Sequence, residues 1–112
     1  ALSLSALSGQ PYLDRLACEM RTLVAEACAE QGVDLFARFR SEREDWVQAM
    51  VLAGLGFAFM PEYSVTLPGL VQRPLVEPSL TREICIASVR GRPFPPPVAA
   101  LMRRARSFAW PG

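Results

Sequence analysis

"MVLAGLGFAFMPEYSV" occupies residues 50 to 65 and holds two glycines, one proline and a single charge. Three readings compete for it: a glycine-rich phosphate loop, a membrane-seeking stretch, or a helix handing over to a buried strand. Dinucleotide and Walker loops lie between a strand and the helix that follows it, so that the helix's free amides meet the phosphate. Here the order is reversed. Trp46, Val47, Met50 and Val51 form an apolar stripe at helical spacing before the glycines, and "FAFM" (57–60) follows them as an unbroken apolar run. Gly54 is then a helix stop, and Gly56 lets helix and strand pack closely. Pro61 ends a strand that is expected to be covered on both faces, with Phe57 and Phe59 largely buried. No window of the chain reaches the roughly 18 uncharged apolar residues of a membrane span.

The same rhythm extends on both sides. "PYLDR" (11–15) suits a short strand, and "CEMRTLVAEACAEQ" (18–31) a helix with Met20, Leu23, Val24, Ala27 and Cys28 on one face. Gly32 stands where a left-handed stop is wanted. "VDLFARF" (33–39) follows as a strand. In "SERE" (41–44), Ser41 and Glu44 have the spacing of a reciprocal capping box at the start of the next helix. Beyond Pro61, "LVQRPLV" (70–76) and "REICIASVR" (82–90) read as two further strands, the second burying Cys85. "GRPFPPP" is a stiff connector, and "VAALMRRARSFAW" (98–110) a helix with an apolar side and an arginine side. "ALSLSALSGQ" reads as a small, polar lead-in that ends in a turn. Strand, helix, strand, helix, strand is the order of a parallel α/β unit, in which ligands bind beyond the carboxyl ends of the strands. Arg15 to Cys18, Arg40 to Glu42 and Met60 to Glu62 gather there.

Composition narrows the chemistry. The 112 residues suffice for one modest core, and 12 basic against 11 acidic residues give no general field for polyanions. Every basic residue is Arg; His, Lys and Asn do not occur. A histidine triad, a histidine metal site, a Schiff-base lysine and a Walker lysine are therefore impossible within these residues. Cys18, Cys28 and Cys85 match no zinc spacing, and an odd count argues against a disulfide framework. No metal or cofactor is expected, and no enzyme activity. The absence of a leader pattern suggests a cytoplasmic, reduced setting, and a first residue Ala rather than Met suggests a piece of a longer protein.

The order and wording of these segments resemble the LysR-type transcriptional regulators, in the second half of their effector-binding domain. "MVLAGLGFAFMPE" is similar to that family's helix–Gly–x–Gly–strand–Pro signature, and "LVQRPLVEP" with "LTREICIASVRGR" to its next two strands. The resemblance implies an α/β fold: half of a type 2 periplasmic-binding-protein-like domain, with a mostly parallel sheet flanked by helices. Residues 1–92 would be the second effector-binding subdomain. Residues 93–112 would be the connector and the helix that crosses back to the first subdomain. It further implies a small-molecule effector held in a cleft between subdomains, a homodimer or homotetramer, and DNA contact only through an N-terminal winged helix-turn-helix. A subdomain of an extracytoplasmic solute-binding protein is the alternative from another class.

Arg15, Cys18, Arg40, Ser41, Glu42, Met60, Pro61 and Glu62 are the candidate ligand-binding residues. Arg15 and Arg40 at strand ends could pair with a carboxylate, and the amides of a helix beginning near Ser41 would favour an anion. The effector is therefore expected to be acidic. The bland reading of each arginine is a solvated surface charge. Glu62 either orients a polar group of the ligand or caps the loop after Pro61. Peroxide-sensing members of the LysR family carry two cysteines in this subdomain, which makes Cys18 and Cys28 a candidate redox pair. An intact helix would hold them about 15 Å apart, too far for a disulfide without unwinding. Arg103, Arg104 and Arg106 lack interleaved aromatic residues, so a solvated helix face suits them better than a nucleic-acid contact.

Overall fold

The computed structural model describes residues 1–16 and 18–111. Two units are described separately, Ala1–Arg82 and the segment from Glu83 onward.

The first unit is built on β2 (Pro11–Arg15), which pairs in parallel with β3 (Phe36–Ser41) on one side and with Phe57 on the other. The pairing runs from Pro11 opposite Phe36 to Arg15 opposite Ser41 and slips between Tyr12 and Leu13, so that Arg38 bulges. The chain rises from β2 into α1 (Arg21–Gln31), returns through β3 and leaves by α2 (Glu44–Leu52). This is the parallel α/β order expected from the sequence. A second parallel pair joins β1 (Leu2–Ser3) to β4 (Leu75–Glu77).

The segment at 50–65 is a helix handing over to sheet, as its order of elements requires. α2 ends at Leu52, and Gly54 turns the chain with φ of +82°, a region costly for residues with a Cβ. Gly56 lies so close to Pro11 that a Cβ there would fall 2.6 Å from its carbonyl oxygen. The close approach that Gly56 permits is thus between two adjacent strand backbones rather than between helix and strand. It lets Phe57 N–H donate to Pro11 O (3.0 Å) and Leu13 N–H to Phe57 O (2.8 Å). The expected strand over 57–60 reduces to this single bridge, and Phe57 and Phe59 are only half-buried. A strand needs at least one neighbour whose backbone pairs with it, and residues 58–60 have no ladder partner among the described residues, the Phe59 carbonyl accepting from Arg15 instead. Tyr12, Phe57 and Phe59 pack as three tilted or edge-on rings with centroids 5.4 to 5.7 Å apart.

The core gathers Leu4, Val24, Ala27, Cys28 and Val33, with Leu7, Leu35, Phe59, Leu75 and Leu80 around them. Each valine or leucine among them contributes about 1.5–3 kcal/mol where its burial is complete. Leu4, in a 3-10 turn over Leu4–Leu7, is completely buried, so the lead-in is part of the core rather than a polar preface. α2 packs on β2 and β3, and Leu13 and Val47 are fully buried. Buried Gln48 ties α2 to the following loop: its Nε2 donates to Ser64 O (3.1 Å), and its Oε1 accepts from Thr66 N (3.0 Å) and Leu67 N (2.9 Å).

α1 begins at Arg21, not Cys18; residues 18–20 form a turn in which Arg21 N–H donates to Cys18 O. The capping box does not form. Ser41 ends β3, its Oγ accepts from Arg43 N (3.1 Å), and the Glu44 carboxylate is engaged by Arg15 instead. The strand expected over 70–76 shrinks to the three residues of β4. Residues 82–90 form no strand, and Cys85 is exposed rather than core. Their apolar run, Ile84 to Ala87, is real, but among the described residues no neighbouring strand pairs with it, and an unpaired segment has no ladder to stabilise it.

In the second unit, Pro96 sets the first turn of α3 (Pro96–Ser107), where its missing N–H costs nothing. Val98, Leu101 and Phe108 are exposed, and Trp110 folds back to donate from Nε1 to Ala105 O (2.7 Å).

Candidate functional site

The carboxyl end of β2 carries two oppositely charged residues on alternate faces, and both are buried. A charge inside a strand must find partners, because desolvation without them costs several kcal/mol. Asp14 finds Arg21, whose Nε and Nη2 donate to its two oxygens at 3.1 and 2.8 Å; Arg40 Nε lies 3.5 Å away. That pairing raises the Arg21 guanidinium further. Tyr12, one pleat earlier on the same face, is pushed up to about 12, mostly by burial and then by the Asp14 charge.

Arg15 is only 5% exposed and holds three separate segments together. Nη1 donates to Phe59 O (3.1 Å) and to Cys18 Sγ (3.2 Å), and Nη2 pairs with the Glu44 carboxylate. Its Nε is buried and has no hydrogen-bond partner among the described residues. Glu44 opens α2 and is 46% exposed, so it covers the guanidinium from the solvent side. Next to it Arg43 and Asp45 form a surface pair (2.7 Å), which lowers the Asp45 pKa, while the Arg43 guanidinium stacks 5.0 Å from the Trp46 ring centre.

The candidate residues read from the sequence divide accordingly. Arg15, Cys18 and Ser41 are brought together at the strand ends, Cys18 and Ser41 being half-buried. Met60 and Pro61, also half-buried, directly follow the Phe59 carbonyl that Arg15 holds. Arg40 is 61% exposed and leans on Asp14, while Glu42 and Glu62 are exposed. Cys18 and Cys28 are both free thiols, separated along the chain by most of an intact α1, and burial raises the Cys28 pKa. Asp14, Arg21 and Glu44 were not among the candidates. The signal for the first lay in "YLDR", where two charges inside an apolar strand imply internal counter-ions.

A depression of about 480 Å³ lies along α1 beside Arg21, Ala25 and Ala29, and a smaller apolar cavity of about 140 Å³ lies between Leu2, Phe57, Phe59 and Leu75. Neither contains Arg15 or Ser41. Among the described residues no group of His, Cys, Asp and Glu could hold a metal ion, and no helix is long and apolar enough to cross a membrane.

The model of the LysR substrate binding domain matches residues 1–110. No curated protein and no solved structure matches significantly. With its parallel strands, flanking helices and strand-end polar edge, a periplasmic-binding-protein-like α/β arrangement, the chain belongs to the LysR substrate binding domain family.

Proposed function

We propose that this chain is the effector-sensing part of a LysR-type transcriptional regulator, and that a small acidic metabolite binds at the carboxyl ends of β2 and β3 and after Phe59. The observation that carries the reading is the convergence on Arg15 of Glu44, Cys18 and the Phe59 carbonyl, with Ser41 in register beside it. In parallel α/β sheets this edge is where ligands are held. The half-buried Ser41 hydroxyl lies in register with Arg15, exposed Arg40 reaches the same strand ends from the Asp14 face, and Met60 and Pro61 give an apolar margin. Binding would close this edge against a second subdomain and change the relative placement of DNA-binding domains, an equilibrium biased by differential affinity. The regulator would be a homodimer or homotetramer that meets DNA through an N-terminal winged helix-turn-helix.

Calorimetric titration of the full-length protein with small acids, amines and neutral analogues tests the reading. A preference for acids is expected, with affinity reduced in Arg40→Ala while the circular dichroism is preserved. A preference for neutral or cationic compounds, or an unchanged affinity in the variant, contradicts it.

A further inference from the structure

The three nitrogens of Arg15 are not equivalent. Nη1 is committed to the Phe59 carbonyl and the Cys18 sulfur, and Nε is enclosed with no hydrogen-bond partner among the described residues. Nη2 rests on the Glu44 carboxylate, a charged partner that is itself half in water. A buried guanidinium needs a counter-charge at that position, and any carboxylate of suitable reach would serve. Glu44 has somewhere to go on leaving. It lies in the first turn of α2, where a negative charge is favoured, and its side chain already reaches solvent.

We infer that Glu44 is an internal counter-ion which an effector carboxylate displaces from Arg15, so that Glu44 sets both the affinity and the anion selectivity of the edge. This rests on the effector-site reading above and adds the identity of the group the effector must replace. The exchange trades one charge-assisted pair for another of the same kind, so the guanidinium is never left bare. The chain thereby competes with its own ligand. An acid with a single weak contact elsewhere loses to Glu44, and only one that also engages the rim gains net affinity. Arg40 and Arg21 do not compete for the same place, because both lean on Asp14, which sits on the opposite face of β2.

The test compares the full-length protein with its Glu44→Gln variant, with succinate as the probe and succinamide as its uncharged counterpart. Gln can still accept from Nη2, so the fold is retained while the competing charge is removed. Succinate should bind the variant roughly tenfold more tightly, equivalent to about 1.4 kcal/mol, with succinamide unaffected. Equal or weaker succinate binding in the variant overturns the inference and leaves the effector-site reading standing. Failure of either protein to bind succinate or any member of the acid panel overturns both. Should the variant not fold, the Arg15 Nε–H resonance of the unsubstituted protein decides. Succinate must move it, and a signal that stays in place while succinate binds refutes displacement at Arg15.

Discussion

Replacing Gly56 by Ala isolates the contact on which the central pairing depends. The new Cβ would stand 2.6 Å from Pro11 O, 3.0 Å from its carbonyl carbon and 3.2 Å from its Cβ. Ordinary contact begins at 3.4 Å, so the strands must part by about 0.8 Å, and the obstacle is backbone that cannot rotate away. The same Pro11 oxygen accepts from Phe57 N–H, and Phe57 O accepts from Leu13 N–H. Stretching both bonds forfeits about 0.5–1.5 kcal/mol each, more if a group is left enclosed and unpaired. Ala also restricts the unfolded chain, which returns about 0.4–1 kcal/mol. A net loss of about 2 kcal/mol is expected, equivalent to a fall in Tm of roughly 10 °C for a domain of this size. Urea unfolding followed by circular dichroism measures it. Gly54→Ala is the comparison: it has open space around its Cβ but a φ of +82°, and should cost only about 1 kcal/mol. If Gly56→Ala unfolds within about 0.5 kcal/mol of the unsubstituted chain, or costs less than Gly54→Ala, the close-approach argument is wrong.

Gln48→Ala removes the partner of three backbone groups in the loop at 64–67 and should destabilise by about 1–3 kcal/mol, with faster amide exchange at Thr66 and Leu67. Unchanged protection there would count against the anchoring role. Tyr12 is held neutral up to about 12, while the unfolded phenol ionises from 10. Its folded pKa is the higher one, so stability is intact below pH 10 and falls as pH rises from 10 toward 12. Tyrosinate absorbance in a Tyr63→Phe background isolates the group, and an ionisation complete near 10 in the folded state refutes the shift. Exposed Ile84, Val89, Leu101 and Phe108 in the second unit should drive concentration-dependent association, reduced by Leu101→Glu with Phe108→Glu. A monodisperse monomer at high concentration in light scattering is the contrary outcome.

Much of the α/β order was readable because it rests on local chemistry. β2 falls on "PYLDR" to the residue, and Gly32 and Gly54 act at their helix ends because backbone geometry there admits little else. Residues 82–90 show the limit. A short apolar run such as Ile84 to Ala87 states that a segment can be a strand, whereas a strand exists only where a neighbour pairs with it. Leu4 fails in the opposite sense: two serines flank it, so no apolar run announces a residue that tertiary packing encloses completely. At the strand ends, the sequence located Arg15 and Ser41 but not the identity of their partners. Glu44 has the spacing of a cap, and a carboxylate has only one strongest use. A buried guanidinium within reach outweighs an exposed backbone amide.

The two attachments of α2 differ in kind. At its start, a pair of ions, one of them half in water, fastens the helix to the sheet; five residues into it, a neutral amide fastens it to the loop at 64–67. Dissolved salt reaches the first only from the Glu44 side and weakens it modestly, and it acts hardly at all on the second, because counter-ions screen charge and leave dipolar contacts between uncharged groups almost unchanged. What loosening ionic strength brings is therefore confined to the end where the helix meets Arg15, while its hold on the loop persists. The loop would follow the helix as a passenger, carrying into the residues after Pro61 whatever movement begins at the sheet.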